Sequence, residues 1–250
     1  MQQNSFNSIK KTAKIAVLQL FTMLFVGSIS MVFISCEEEK EEIEVINIPE
    51  QAVDLGLPSG TLWAKYNVGA TKPEEFGDYF AWGETTGLKN GKTNFSWDTY
   101  KWCNGSDKKL TKYCNDSNYG NDGFADGKTE LDLADDAAYA NWGSNWRMPN
   151  YNQVKELIDN CSWEWTTLNG VRGSKATSKK NGNSIFLPAA GGYSRIGLEN
   201  ANTDGCYWSM SLYTDEPKFA QGLNISSDGG GGLQGARLFG FCIRPVYVKK

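Results

Sequence analysis

The chain turns on Trp146-Arg147-Met148-Pro149-Asn150, a run from Tyr151 to Asn160, and then Cys161-Ser162-Trp163-Glu164-Trp165. Asn150 suits a helix N-cap: its side chain can accept from the backbone N–H of Gln153 while the Gln153 amide reaches back, which makes a capping box. Pro149 and Val154 occupy the two staple positions of that box. Tyr151, Val154, Leu157 and Ile158 recur at i, i+3 and i+4 spacing, so one stripe of the predicted helix is apolar. Asp159-Asn160 ends it. Trp163, Trp165 and Thr167 then fall on one face of a strand that follows at once. The aromatics read as core, with an aromatic ligand platform as the alternative.

Composition bounds the answer. The 250 residues are 40% apolar and include 27 glycines and 9 tryptophans, which fits a globular, strand- and turn-rich protein of one or two domains. The formal net charge is −4; residues 1–35 hold three lysines and no acid, leaving 22 bases against 29 acids in the remainder. Such a chain repels phosphate backbones, which argues against a nucleic-acid partner. The chain has no histidine, which removes the commonest metal ligand and general base and disfavours triad hydrolases and histidine-bound zinc.

Residues 1–35 read as an address. Lys10, Lys11 and Lys14 precede an apolar run from Ile15 to Phe33, and Phe33-Ile34-Ser35-Cys36 closes it. A small residue directly before a cysteine resembles the bacterial lipobox, with Phe33 where leucine is usual. The resemblance implies cleavage before Cys36 and lipidation of its thiol, and so a membrane partner through the lipid anchor. The alternative is a transmembrane helix, but the cysteine and the charge block stop the segment short. Glu37-Glu38-Glu39-Lys40-Glu41-Glu42 resembles the acidic export signal of Bacteroidetes surface lipoproteins, which implies an outer-membrane location facing the exterior; it also reads as a self-repelling tether. The expected division is a signal peptide at 1–35, an acidic disordered tether at 36–50 and one domain at 51–250.

Within the domain, Val53, Leu55 and Leu57 alternate, as do Leu62, Ala64 and Tyr66, around a Pro58-Ser59-Gly60 turn: a hairpin. Gly77 to Glu84 reads as a strand or buried extended segment. Residues 85–130 form a long loop without periodicity, either functional or held down by its aromatics. Cys103 and Cys114 close a short loop within it and are a candidate disulfide. Six aspartates between 115 and 136 suggest calcium, but no EF-hand spacing fits them, so a solvated acidic loop is expected and no metal or cofactor is assigned. Asp132 to Asn141 reads as a short helix. Asn169-Gly170 turns the hairpin Trp163–Leu168 and Val171–Thr177. Strands are then expected at 184–190, 206–212, 218–225, 237–239 and 241–248. Gly191–Gly205 reads as a loop and Gly229–Gly232 as a flexible turn.

Trp146-Arg147-Met148-Pro149-Asn150, Tyr207-Trp208-Ser209-Met210 and Ile243-Arg244-Pro245-Val246 occur in this order after Val53–Gly69 and Gly77–Glu84. Together they resemble the Fibrobacter succinogenes major paralogous domain of Bacteroidetes surface proteins. That family is in turn similar to C-type-lectin-like and formylglycine-generating-enzyme folds. The resemblance implies an α+β fold: an irregular antiparallel sheet with one or two short helices and long loops on one face. The lectin calcium motifs Glu-Pro-Asn and Trp-Asn-Asp are absent, so calcium-dependent sugar binding does not follow. Cys161 and Cys242 could bridge as in C-type lectin domains, with Cys206–Cys242 as the rival; at least one of the five later cysteines stays unpaired within the monomer.

Three functions follow. The first is a surface-anchored, non-catalytic binding module for an unknown glycan or protein ligand. Its expected contact face is Tyr193, Arg195, Asn200, Asn202, Asp204 and Trp208, where aromatic faces stack and amides and guanidinium set hydrogen bonds. The second is an enzyme, against which no acid pair or activated nucleophile stands out, so no catalytic residue is named. The third is a structural or adhesin component of the cell surface.

Overall fold

The computed structural model describes residues 49–249, all within one compact unit, Val45–Lys250. The signal peptide, the lipidation site Cys36 and all but the end of the tether lie outside the described residues. Among the described residues no helix is long and apolar enough to cross a membrane.

Strands β1 (Ala52–Asp54) and β2 (Leu62–Ala64) open the domain. After a long segment come α1 (Ala137–Trp142), β3 (Trp146–Arg147) and α2 (Tyr151–Asn160). Then follow β4 (Cys161–Leu168), β5 (Val171–Ser178), β6 (Ser184–Pro188), β7 (Gly192–Ser194) and β8 (Gly197–Glu199). β9 (Gly205–Leu212), β10 (Phe219–Ser226), β11 (Gly229–Ala236) and β12 (Val246–Tyr247) complete the chain. The sheet orders are β1-β2-β12-β3, β4-β5-β6, β11-β10-β9 and β7-β8. The fold is thus mostly antiparallel sheet with few helices, and β12 closes the chain between β2 and β3.

The central stretch behaves as its residues dictate. Asn150 Oδ1 accepts from Gln153 N and Gln153 Oε1 from Asn150 N, each at 2.9 Å. Val154 and Leu157 are buried, and β4 begins directly after Asn160. Asn169 and Gly170 have φ of +48° and +85°, the paired left-handed turn that suits the twist of two strands. Trp163 faces Ala176, and Trp165 faces Ser174. The hairpin β1–β2 also forms, but Leu62, Trp63 and Ala64 are all buried instead of alternating, because β2 is an inner strand flanked by β1 and β12.

The expectations fail in several places. The strand expected at 241–248 is reduced to β12, because Phe241 and Cys242 make only isolated bridges, and the loop expected at 191–205 holds β7 and β8. Gly229–Gly232 is not a turn but the start of β11. A Cβ on Gly230 would meet the Trp163 ring at 2.5 Å, and one on Gly232 would meet the Tyr151 hydroxyl at 2.3 Å, so these glycines make room for aromatics from β4 and α2. The segment 237–239 is no strand. The helix expected from Asp132 starts at Ala137 instead, since Asp136 is its N-cap and accepts from Tyr139 N at 3.0 Å.

Two apolar clusters form the core, and the extended segment Tyr79–Trp82 feeds both. Tyr79 and Ala81 enter one, with Trp63, Leu157, Tyr207 and Ile225; Phe80 and Trp82 enter the other, with Tyr113, Trp208 and Phe241. This is the period-two alternation of an extended chain, tied to the C-terminal segment by the Phe80–Phe241 bridge. The segment 85–130 is held down by its aromatics. Tyr100 OH donates to Trp82 O and Trp102 Nε1 to Gly83 O, both at 2.8 Å. Lys92 and Glu84 form an enclosed ion pair at 2.7 Å.

Candidate binding site

Hairpin β7–β8 lies inside the segment expected to be a loop. Its register pairs Tyr193 with Leu198 and leaves Arg195-Ile196 at the tip. Tyr193 is also paired through its backbone with Gly240, N to O at 2.8 Å and O from N at 2.9 Å, which seats the hairpin on the segment before Phe241. The half-buried Tyr193 ring meets Tyr79 edge-on, centroids 4.7 Å apart, and leans on Phe95 at 5.8 Å. Tyr79 is itself fixed, its hydroxyl donating to Ala190 O at 2.7 Å. Ile196 is 81% exposed and Leu198 41%, so the hairpin presents apolar surface to solvent.

Tyr193 is a shared wall of two hollows. One, of about 480 Å³, has Phe76, Tyr79, Val171 and Leu198 as its apolar lining, with Glu74, Glu75 and Lys89 among its polar groups. The other, of about 190 Å³, is bounded by Glu199, Asn200, Cys206, Phe239 and Phe241. The Asn169 amide holds the Glu74 carboxyl below the usual range, and the Thr71 backbone N–H does the same for Glu75. Both are therefore carboxylates at neutral pH, engaged with their own surroundings. Burial pushes the Cys206 thiol up to about 11, which leaves it protonated and a poor nucleophile. The site offers an aromatic face, amides, carboxylates and a cation, and no activated nucleophile. A cleft of about 460 Å³ also lies over Glu164, Lys175 and Phe186 on β4–β6, but its aromatic floor, Phe186, is only 7% exposed.

Five of the six expected contact residues lie close along the chain: Tyr193 and Arg195 on the hairpin, Asn200, Asn202 and Asp204 in the turn after it. Arg195, Asn200 and Asn202 are exposed and Asp204 is partly so. Asn200 and Asn202 adopt left-handed backbone, φ +58° and +68°, and Asn202 N donates to Ala189 O at 2.7 Å, which ties the turn down. Trp208 is a correction. It is 1% exposed, its ring lies 4.4 Å from Phe241, and its Nε1 donates to Phe80 O at 2.9 Å. It fills the core and cannot touch a ligand. Phe76, Lys89, Val171 and Leu198 were missed; Leu198 alone had a local signal, facing Tyr193 across a glycine-bearing tip.

The cysteines also depart from expectation: Cys103, Cys114, Cys161, Cys206 and Cys242 are all free thiols. Cys103 Sγ donates to Trp97 O at 3.0 Å and Cys114 Sγ to Asp116 O at 3.1 Å, each serving its own loop. Cys242 lies opposite Tyr207 in a parallel bridge, so Cys206, one residue earlier, points to the other face and the two cannot join. Cys242 Sγ donates to Phe76 O at 3.1 Å, while Cys161 begins β4 opposite Ser178. In the acidic loop, the Asp126 carboxylate accepts from Tyr113 N and Cys114 N, and Asp132 and Asp135 pair with lysines. In comparison with known proteins, no family model matches this chain, and no curated protein or solved structure matches it either.

Proposed function

We propose that this chain is a lipoprotein anchored through Cys36 in the outer membrane, facing the cell exterior, with a lectin-like domain that is a non-catalytic binding module for a glycan or protein ligand. The observation that carries the binding reading is Tyr193: a half-buried aromatic held by Tyr79 and Phe95 between two hollows. Asn200 lines one of these hollows, and Arg195 and Asn202 are exposed within ten residues of Tyr193 along the chain. An aromatic face with fixed hydrogen-bonding groups beside it suits a sugar ring or an apolar side chain flanked by polar groups. The mostly antiparallel sheets with few helices are compatible with the α+β class that the lectin-like reading requires.

The test is a glycan-array screen of Val45–Lys250, repeated with Tyr193→Ala and Arg195→Ala. Binding that both variants lose while their melting transitions hold supports the module and its face. Binding that survives both variants moves the face elsewhere. Trp208→Ala is a poor probe, because it empties the core.

A further inference from the structure

β11 is an edge strand: among the described residues no strand pairs with its outer side. Its pairing with β10 runs without a shift from Phe219↔Ala236 to Ser226↔Gly229. Arg237 N donates to Lys218 O at 3.0 Å, which sets the phase of the ladder. Alternation then turns the N–H and C=O of Gly231, Leu233 and Gly235 toward β10, and those of Gly230, Gly232 and Gln234 outward. Among the described residues these outward groups have no hydrogen-bond partner.

Natural edges are blunted with charge, proline, a bulge or a cover. The other edges here have one of these. β1 carries Asp54, β3 Arg147, β4 Glu164, β6 Pro188 and β8 Glu199. β7 is tied to Gly240, and β9 is covered by bonds from Trp208 N to Cys242 O and Met210 N to Pro149 O. β11 reads Gly-Gly-Gly-Gly-Leu-Gln-Gly-Ala, uncharged, without proline or bulge.

We propose that this edge pairs with the same edge of a second copy of the chain, antiparallel and centred on Gly232. The two-fold register places Gly230 opposite Gln234, Gly231 opposite Leu233 and Gly232 opposite itself, so every facing pair contains a glycine and no bulky or like-charged side chains collide. The outward groups of Gly230, Gly232 and Gln234 then satisfy one another. Gly231 supplies an independent reason. A Cβ there would meet nothing within 4 Å, and its φ is not left-handed, so packing inside one chain does not require glycine at that position. In the paired edge, Leu233 of the second copy lies across it. This inference is independent of the ligand reading, since β11 contributes nothing to the Tyr193 hollows.

The experiment is sedimentation of Val45–Lys250 over a wide concentration range, with hydrogen exchange read at single amides. The expected result is a reversible monomer–dimer equilibrium in which the amides of Gly230, Gly232 and Gln234 slow as the dimer fills. Gln234→Pro removes an outward N–H and the side chain's hydrogen bond to Tyr213; it should weaken the dimer at least about tenfold, while Gln234→Ala, which loses only the side-chain bond, should leave the dimer intact. A wild-type protein that stays monomeric to its solubility limit, with those amides exchanging fast, overturns the proposal and leaves the edge for an extended segment of another protein. A dimer whose affinity Gln234→Pro leaves intact also overturns it. The wild-type exchange pattern decides the matter should that variant fail to fold.

Discussion

Replacing Arg237 by methionine should destabilise the domain more than any single apolar truncation in a peripheral strand. Arg237 is 0% exposed, and no carboxylate pairs with it among the described residues. Its Nε donates to Tyr100 OH at 2.8 Å. One terminal nitrogen donates to Tyr113 O at 3.0 Å and Pro217 O at 2.9 Å, and the other to Lys112 O at 3.0 Å. The guanidinium lies 4.8 Å from the Trp82 ring and 5.2 Å from the Tyr100 ring. Methionine keeps the stem's bulk but leaves three carbonyls without donors. Each stranded buried acceptor costs about 1–3 kcal/mol, while removing a buried cation returns part of its desolvation cost. The net loss should be about 3–5 kcal/mol, a large part of a typical domain's stability. Urea denaturation followed by tryptophan fluorescence should then show a midpoint lower by roughly 1–2 M. Limited proteolysis should cut within residues 100–115 before the sheets open. Arg237→Lys should behave much like the methionine variant, because an ammonium cannot span the fork. A loss below about 1 kcal/mol, or a lysine variant equal to wild type, would refute the reasoning.

Three further outcomes follow from the packing and the charges. Gly230→Val should lower stability by about 1–3 kcal/mol by driving a side chain into Trp163, whereas Gly231→Val should leave the monomer's melting temperature unchanged or raised; equal effects would mean that β11 does not lie against β4. Acid should destabilise the fold from about pH 4 downward. Hydrogen bonds from Lys112 and Lys128 lower the Asp132 carboxyl to about 2. Burial raises that of Asp135, but hydrogen bonds from Lys112 and Tyr113 outweigh it and the net direction is down. A lowered folded pKa contributes stability that is present above the unfolded value and lost as pH falls through the folded one. Asp132 is 40% exposed, so its share is screened, and Asp136, pushed up by burial, works in the opposite sense. Lys112→Ala should flatten the acid limb of a melting-temperature titration. Burial pushes the Cys161 and Cys206 thiols up to about 11, so mass spectrometry should find both alkylated at pH 8 far more slowly in the native protein than in urea.

What was legible in the sequence was local. The Asn150–Gln153 box, the apolar stripe of α2 and the Asn169-Gly170 turn all rest on residues a few positions apart, and each forms as expected. What was illegible needed a partner from far along the chain. The glycines of β11 read as a turn because their reason is Trp163 and Tyr151, some seventy to eighty residues earlier. Trp208 read as a contact residue because nothing local says which face of β9 meets Phe80 and Phe241. The same holds for the site: Tyr193, Arg195 and the turn at 200–204 were visible as one polar, aromatic stretch, while Phe76 and Lys89 reach Tyr193 only through the fold. The two buried arginines show why distance matters here. Arginine is ordinarily a surface residue, yet Arg237 and Arg244 are 0% and 1% exposed. A chain with long segments outside any ladder buries carbonyls that no strand can satisfy, and those groups must find donors. Arg244 serves strand carbonyls instead, Ala64 O of β2 at 3.3 Å and Phe186 O of β6 at 2.9 Å, together with Asn67 Oδ1 at 2.8 Å, and burial pushes its guanidinium down to about 10. Arg237 supplies donors to the irregular segment 85–130, at Lys112 O and Tyr113 O. The irregular segment 85–130, which makes the fold hard to read, is thus held by a side chain that a sequence reading assigns to the surface.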